Sequence, residues 1–296
     1  MQTDYSEPSA RAPRSHRQVG GVLLEKRPCL FLILLLCLAL GRPAFAEDTN
    51  VMISKVRQGQ NILLIAKFNN CSEATITLTA TMKNMTCSVP LPLTVDVVGQ
   101  KQVVLAVFRP IDPNAPSDCT GRSYWHYGGR LKGSIQPYAY VLPYRSGPFE
   151  MIQGPNSGFT HTLRLQDAEA YDWAMPVGTY VYPARPGTVV GFRADCSAGS
   201  ADLSLIDDCN YILLKHDDGT YGEYLHLRKG GVLVRLGDRV TQGQPMALSG
   251  NTGCTTEPHL HFAVFYNLDG TLRRTLPIVF ASREGATFKP QEGKFY

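Results

Sequence analysis

The sequence lacks the concentration of basic side chains that a nucleic-acid-binding surface requires. The 296-residue chain contains 29 lysines and arginines against 25 acidic residues. Six of these basic residues and three of the acidic ones lie within residues 1–46, so 23 basic and 22 acidic side chains remain. Phosphate binding needs clustered positive charge rather than a near-neutral balance. We therefore do not expect nucleic acid to be a partner.

Hydrophobic runs long enough to cross a membrane are also missing. The most apolar run, Cys29 to Leu40, has 12 residues, whereas a helix needs roughly 20 to span a bilayer. It follows a polar, arginine-bearing segment that ends at Lys26-Arg27, and it precedes the small-x-small pattern Ala44-Phe45-Ala46. This order is typical of an export signal. We predict that residues 1–46 are a signal peptide and that the mature protein is exported without stable membrane insertion, an uncleaved anchor being the alternative.

The chain contains eight cysteines, and two of them lie within the predicted signal. The six that remain allow 15 pairings, and they are Cys71, Cys87, Cys119, Cys196, Cys209 and Cys254. Cys196 and Cys209 bracket a polar stretch of 12 residues between two apolar segments. We predict a disulfide between them, which would contribute about 3 kcal/mol by the loop-entropy model.

Helical periodicity is absent as well, and the patterns that are present indicate an all-β protein. Residues 74–82 alternate apolar side chains with threonine, which is typical of a half-buried strand. We predict a β-sandwich-like N-terminal domain over residues 47–148, ending in a proline-bearing linker at residues 137–148. A second all-β domain, with a barrel-like or sandwich-like sheet, is predicted over residues 149–296.

Histidine is concentrated in the second half of the chain, which contains five of the seven histidines. His259 and His261 alternate with apolar neighbours in a predicted strand, so their side chains share one face. An isolated pair of this kind could be two surface histidines. However, a catalytic zinc needs three nitrogen or oxygen ligands and one open position, and His161, Asp172 and His261 would supply that set. His226 and His259 would then handle protons and stabilise an oxyanion.

Five short motifs give the second half a family resemblance. It resembles the lysostaphin-type (LytM-like) zinc metallopeptidases, which hydrolyse peptide cross-links in bacterial cell walls. The matching segments are Thr160-His161 with Ala170-Tyr171-Asp172, Val177-Gly178-Thr179, Glu223-Tyr224-Leu225-His226-Leu227, Gly250-Asn251-Thr252-Gly253 and Pro258-His259-Leu260-His261-Phe262. The resemblance implies a Zn²⁺ cofactor held by His161, Asp172 and His261, with His226 and His259 as catalytic residues.

The sequence departs from the family pattern at several points. Ten residues separate His161 from Asp172, a longer spacing than in the compact members of the family. Ala263 follows Phe262 where an acid is common, and His216, at a hairpin turn, matches no family role and is expected at the surface.

Two other classes of function compete with a peptidase. One is a catalytically silent relative that binds the cell wall or activates another hydrolase; such proteins usually lack one or more of the five polar residues. The other is a carrier-type barrel, which needs an exposed lysine on a tight hairpin beside residues such as Met246, and none is there.

The resemblance also implies a substrate, the peptide cross-links of peptidoglycan. The export signal, the long spacing between His161 and Asp172, and the absence of a basic or repeated wall-binding module favour a periplasmic enzyme, secretion being the alternative. The near-neutral mature charge gives no long-range attraction to teichoic acid phosphates. We therefore expect cleavage of D-Ala–diaminopimelate cross-links rather than oligoglycine bridges.

Overall fold

The computed structural model describes residues 50–158 and 160–296, and it gives only the backbone of Leu165. The predicted signal at residues 1–46 lies outside the described residues. Strands dominate the described chain, and its helical elements are short: α1 (Thr160–Leu163) and two single 3₁₀ turns, Leu165–Asp167 and Leu203–Leu205. The all-β prediction is therefore confirmed. Within this part of the chain, no helix has both the length and the apolar character to cross a membrane.

The N-terminal half forms two antiparallel sheets that share one hydrophobic core. Its strands are β1 (Val51–Gln58), β2 (Asn61–Phe68), β3 (Glu73–Lys83), β4 (Met85–Cys87), β5 (Leu93–Val98), β6 (Gln102–Pro110) and β7 (Asp118–Tyr127). One sheet has the order β1-β2-β6-β4, and the other has the order β5-β3-β7. Ile62 and Phe108 from the first sheet and Ile76 and Leu78 from the second are buried in the same cluster. This unit, the N-terminal sandwich, agrees with the predicted β-sandwich.

The second half contains the remaining sixteen strands of the described chain, eight of which build one sheet. They are β8 (Ala139–Tyr140), β9 (Met151–Gln153), β10 (Tyr171–Ala174), β11 (Tyr180–Val181), β12 (Gly187–Arg193), β13 (Gly199–Ser200), β14 (Tyr211–Lys215), β15 (Tyr221–Leu225), β16 (Leu227–Val232), β17 (Arg239–Val240), β18 (Ala247–Ser249), β19 (Gly253–Cys254), β20 (His259–Asn267), β21 (Arg273–Thr275), β22 (Val279–Ala281) and β23 (Thr287–Phe288). The main sheet has the order β17-β12-β14-β15-β20-β10-β9, and β21 also pairs with β20.

Strand β20 occupies the middle of the main sheet and is covered on both faces. Leu260, Phe262 and Val264 point into the main hydrophobic core of this half. The alternate residues, from His259 and His261 to Phe265, lie on the opposite face, and they are buried as well. Because successive side chains of a strand alternate between faces, the core-facing residues fix the direction of both histidines.

The proline-bearing segment at residues 137–148 is packed against the second half. It contains β8, which pairs in parallel with β22, and it contributes Tyr140 and Tyr144 to the main core. The predicted boundary at residue 148 stays a prediction.

Polar contacts join the N-terminal sandwich to the main sheet. The buried carboxylate of Glu73 on β3 lies 2.8 and 2.9 Å from Lys215 Nζ, and it accepts a 2.7 Å hydrogen bond from the Tyr221 hydroxyl. The side chain of Asn50 donates to Phe192 O and to the Tyr211 hydroxyl. The polar groups in these contacts are hydrogen-bonded and largely buried. They therefore fix the sandwich against the same sheet that carries the histidines.

The predicted disulfide between Cys196 and Cys209 is absent from this structure, where all six described cysteines are free thiols. Cys196 Sγ points to the carbonyl oxygen of Asp208 at 2.9 Å. Cys209 is buried against Gly253, where an added Cβ would lie 2.6 Å from Cys209 Cβ. The Cys196 thiol therefore contacts the backbone carbonyl next to Cys209 and is not bonded to the Cys209 sulfur.

Replacing Glu73 by alanine is expected to destabilise the folded chain. The change leaves the Tyr221 hydroxyl and the Lys215 ammonium without their shared acceptor, which costs about 2 kcal/mol for a bond to a charged group. Urea unfolding followed by tryptophan fluorescence measures the loss. Arg239→Ala is the control, because Arg239 pairs with Asp217 in an exposed surface bridge and should change stability little. Equal effects of the two variants would contradict the assigned role of Glu73.

Candidate functional site

Three buried side chains meet at one end of β20. His161, Asp172 and His261 each offer one ligand atom, and these atoms all lie within 4.8 Å of one another. His161 Nε2 is 3.4 Å from Asp172 Oδ2, and His261 Nδ1 is 2.9 Å from Asp172 Oδ1. The structure thus brings together the three residues that the sequence predicts as metal ligands.

The backbone explains why these side chains converge. Asp172 on β10 lies directly opposite His261 on β20 in the antiparallel pairing, so the two side chains share one face. His161 reaches the same point from α1, and its Nδ1 lies 2.8 Å from the carbonyl oxygen of Gly154. Because a carbonyl only accepts, Nδ1 carries the proton and Nε2 keeps its lone pair for a ligand.

The electrostatics of the centre keep Asp172 ionised. Burial by itself raises the pKa of Asp172, but the adjacent imidazoles of His261 and His161 hold that pKa well below its ordinary value. Burial by itself lowers the pKa of His261, and the Asp172 carboxylate reverses this and raises that pKa above its ordinary value. A buried anion held between imidazoles is the arrangement that a divalent cation would complete.

His226 and His259 lie beside this centre as a pair. Their ring centroids are 4.4 Å apart, and His259 Nε2 lies 4.0 Å from Asp172 Oδ2. His226 Nδ1 lies 2.7 Å from Thr252 O, and His259 Nδ1 lies 2.8 Å from Glu257 O. Both rings therefore donate from Nδ1 to a backbone carbonyl and leave Nε2 as an acceptor.

The conformation of His226 is unusual for a residue with a side chain. It lies between β15 and β16 with a φ of 62°, in the left-handed region. Burial, followed by the neighbouring His259 and His261, lowers the pKa of His226 to about 3. Backbone strain held in place by the surrounding structure is typical of functional positions.

The donor set fits a catalytic zinc. Two imidazoles and one carboxylate are the nitrogen and oxygen ligands that such sites use, with one position left for water or substrate. Among the described residues, His161 Nε2 is buried and makes no hydrogen bond, as expected of an atom whose partner is a metal. The carbonyl of Gly154 supplies the outer hydrogen bond that fixes its ring.

A second cluster of buried charges, which the sequence did not predict, lies behind His261. The Arg273 guanidinium contacts Glu223 at 2.7 and 2.8 Å and Asp167 at 2.5 Å. Burial raises the pKa of Asp167, but Arg273 and Arg164 lower it below the ordinary value. Glu223 lies in a motif already noted, whereas no sequence signal marks Asp167 or Arg273.

The remaining histidines of the described chain lie outside the centre. The prediction that His216 is a surface residue is wrong, because its side chain is buried against Gly222 and Tyr140. Its Nδ1 lies 3.0 Å from the Thr220 hydroxyl, and burial followed by the charge of Arg185 lowers its pKa to about 3. The hairpin folds its first residue inward, which a turn motif alone does not predict.

Comparisons with known proteins agree on the second half of the chain. Residues 166–271 match the model of Peptidase family M23. The chain is 36% identical over 143 residues to the peptidoglycan DD-endopeptidase ShyA of Vibrio cholerae, a match over 48% of this chain and 30% of that protein. It is also 36% identical over 124 residues to the glycyl-glycine endopeptidase ALE-1 of Staphylococcus capitis, over 42% of this chain and 28% of that protein. The chain therefore spans less than a third of the length of these curated relatives.

Among solved structures, the catalytic domain of lysostaphin from Staphylococcus simulans is similar to this protein. The match covers 47% of this chain and 85% of the lysostaphin domain. The two sequences are 28% identical over the match, and the TM-score is 0.29.

Two substitutions at His226 test the strain at this position. Both His226→Gly and His226→Ala remove the imidazole, but only glycine adopts a positive φ without a steric penalty. We expect the glycine variant to be more stable than the alanine variant by about 1 kcal/mol, as measured by urea unfolding. An alanine variant at least as stable as the glycine variant would show that the backbone here is not constrained.

Proposed function

We propose that this protein, whose residues 166–271 match the model of Peptidase family M23, is a zinc metalloendopeptidase that hydrolyses peptide cross-links in bacterial peptidoglycan. One observation carries the proposal: a buried His161–Asp172–His261 centre has two further imidazoles, those of His226 and His259, directly beside it. A structural metal site needs no such pair, whereas hydrolysis needs groups that move protons next to the metal.

The chemistry follows from how the side chains are held. A zinc ion bound by His161, Asp172 and His261 would supply a Lewis acid and make water a nucleophile at neutral pH. His226 and His259 each present Nε2 as a proton acceptor, because Nδ1 of each ring is committed to a carbonyl. An imidazole that has accepted a proton at Nε2 becomes a donor, which can stabilise an oxyanion or protonate the departing amine.

The loop segments of the family resemblance serve to orient these two rings. The carbonyl of Thr252, from the segment Gly250-Asn251-Thr252-Gly253, accepts from His226. The Thr255 hydroxyl lies 3.2 Å from His259 Nδ1 and 2.8 Å from Asn251 Oδ1. Fixed rings of this kind give the pre-organised geometry on which acid–base catalysis depends.

For the substrate, we propose D-Ala–diaminopimelate cross-links and a periplasmic location. In support, one of the relatives described above is named a peptidoglycan DD-endopeptidase, and it matches a longer part of this chain than the glycyl-glycine endopeptidase does. The near-neutral charge after residue 46 also gives no attraction to anionic wall polymers.

Digestion of defined substrates tests this proposal. The purified chain would be incubated with cross-linked dimeric muropeptides and, separately, with pentaglycine, and the products identified by mass spectrometry. We expect the dimers to be converted to monomers and pentaglycine to stay intact. Cleavage of pentaglycine alone would contradict the substrate while leaving the zinc peptidase in place, and a zinc-loaded protein that cleaves neither would support a silent wall-binding relative.

Alanine substitutions at the metal centre are expected to remove zinc and activity together. His161→Ala, Asp172→Ala and His261→Ala each delete one of three ligands, so zinc occupancy should fall from about one ion per chain. Metal analysis of the dialysed proteins measures the loss.

The neighbouring histidines provide the matched comparison for that experiment. His226→Ala and His259→Ala should keep their zinc and lose at least about 10²-fold in turnover, the usual scale for a positioned acid–base group. If His259→Ala lost zinc while His261→Ala kept it, the roles of these two residues would be exchanged.

A further inference from the structure

His261 differs from the other three histidines of the site in the state of its second ring nitrogen. The Nδ1 atoms of His161, His226 and His259 all lie within 2.8 Å of a backbone carbonyl oxygen. The Nδ1 atom of His261 faces Asp172, and its Nε2 is buried without a hydrogen-bond partner among the described residues. If Nδ1 ligates the metal, Nε2 carries the proton, and a ligand of this kind needs an outer acceptor to fix its ring.

Two carboxylates lie close enough to the His261 ring to act as outer partners, although neither makes a hydrogen bond to it in this structure. A ring nitrogen of His261 and one oxygen each from Asp167 and Glu223 all lie within 4.8 Å of one another. Glu223 pairs with Ala263 across β15 and β20, and Leu225 pairs with His261. Glu223 and His261 therefore project from the same face of adjacent strands, one diagonal step apart.

Arg273 holds these carboxylates in place. Its guanidinium makes a two-pronged contact with Glu223, at 2.7 and 2.8 Å, and a 2.5 Å contact with Asp167. It also stacks on the ring of Phe265, with Cζ 4.6 Å from the centroid. A planar guanidinium fixes two carboxylates in a way that a point charge cannot.

The N-terminal sandwich holds the turn that precedes Arg273, residues 267–272, which we call the docking turn. The side chain of Asn267 donates to Tyr127 O at 2.7 Å and to Gly128 O at 2.9 Å. Gly270 N donates to the Thr77 hydroxyl at 2.9 Å. The backbones are so close that a Cβ at Gly270 would collide with Thr77 N and Tyr124 O. The first residue of the docking turn is thus bonded to the end of β7, and its middle packs against β3 and β7.

We propose that Arg273 is a positioning residue for the metal ligand His261, acting through Glu223 and Asp167, and that the N-terminal sandwich keeps Arg273 in place through the docking turn. This inference rests on the proposed role of His261 as a zinc ligand. It gives the sandwich a function in the metal site that requires no contact with substrate.

Zinc affinity of the full chain, measured by competition with a chromophoric chelator, tests the inference. Arg273→Gln should bind zinc about 10–100-fold more weakly than the unaltered chain, the range for losing an outer partner of a ligand. Arg273→Lys keeps the charge but loses the planar contact, so its zinc affinity should lie between that of the unaltered chain and that of Arg273→Gln. With muropeptide as substrate and zinc at saturation, kcat should fall in the same order while KM stays unchanged.

Matched controls separate positioning from general destabilisation. Arg239→Gln and Arg239→Lys alter an exposed bridge on β17, at the far edge of the main sheet, and should leave zinc affinity unchanged. Asn267→Ala, which loosens the docking turn without touching the charged cluster, should weaken zinc binding less than Arg273→Gln does. Circular dichroism identifies the folded variants. If Arg273→Gln does not fold, the zinc affinity of Arg273→Lys alone tests the positioning role.

The outcomes distinguish this inference from the proposed function. If the unaltered chain binds zinc and His261→Ala does not, the ligand role holds. Unaltered zinc affinity in folded Arg273→Lys and Arg273→Gln would then overturn the positioning role alone, and unaltered affinity in Asn267→Ala would overturn the contribution of the sandwich. A chain that binds no zinc at all would overturn both.

Discussion

The alternation of side chains along β20 is the constraint on which the site depends. Leu260, Phe262 and Val264 anchor one face of the strand in the main core, and this fixes His259 and His261 on the other face. A slip of the register by one residue would turn the histidines into the apolar core and move Leu260, Phe262 and Val264 out of it, so the packing free energy protects the register. Pairing with β10 then places Asp172 opposite His261. The metal centre is in this sense a consequence of how the hydrophobic core packs.

Burial of so many ionisable groups is tolerated because each charge has a compensating partner. Asp172 lies among imidazoles, and Arg273 lies between Glu223 and Asp167. Removing one member of such a set leaves a buried charge uncompensated, which is far more destabilising than the intact pair is stabilising. Both sets of charges are close to His261. Asp172 faces its Nδ1 atom, and the two carboxylates that Arg273 binds also lie near its ring.

The N-terminal sandwich and the metal centre occupy the same face of the main sheet. Along β20, His259 and His261 belong to the metal centre. Further along the same strand, Phe265 packs against Tyr127 of the sandwich, and the Asn267 side chain donates to the backbone carbonyl of Tyr127. A strand rises about 3.3 Å per residue, so from His261 to Phe265 the chain advances only roughly 13 Å. The contacts of the sandwich with the docking turn therefore reach the charged cluster within a few residues. This proximity gives the N-terminal half a direct structural link to the site.

The sequence by itself determined the strand character of the chain and the five polar residues of the candidate site. Strand character is a local signal, because alternation marks a strand, and the His-x-His pair marks which face His259 and His261 take. His161, Asp172 and His226 were predicted from the motifs that this chain shares with a known family. Sequence alone did not reveal the burial of His216, the free thiols of Cys196 and Cys209, or the cluster of Asp167, Glu223 and Arg273. These depend on which strands become neighbours, and Glu223 and Arg273 are separated by 50 residues along the chain. Only the tertiary structure decides such contacts, because a buried ion pair has no periodicity and its partners meet only after the sheet has formed.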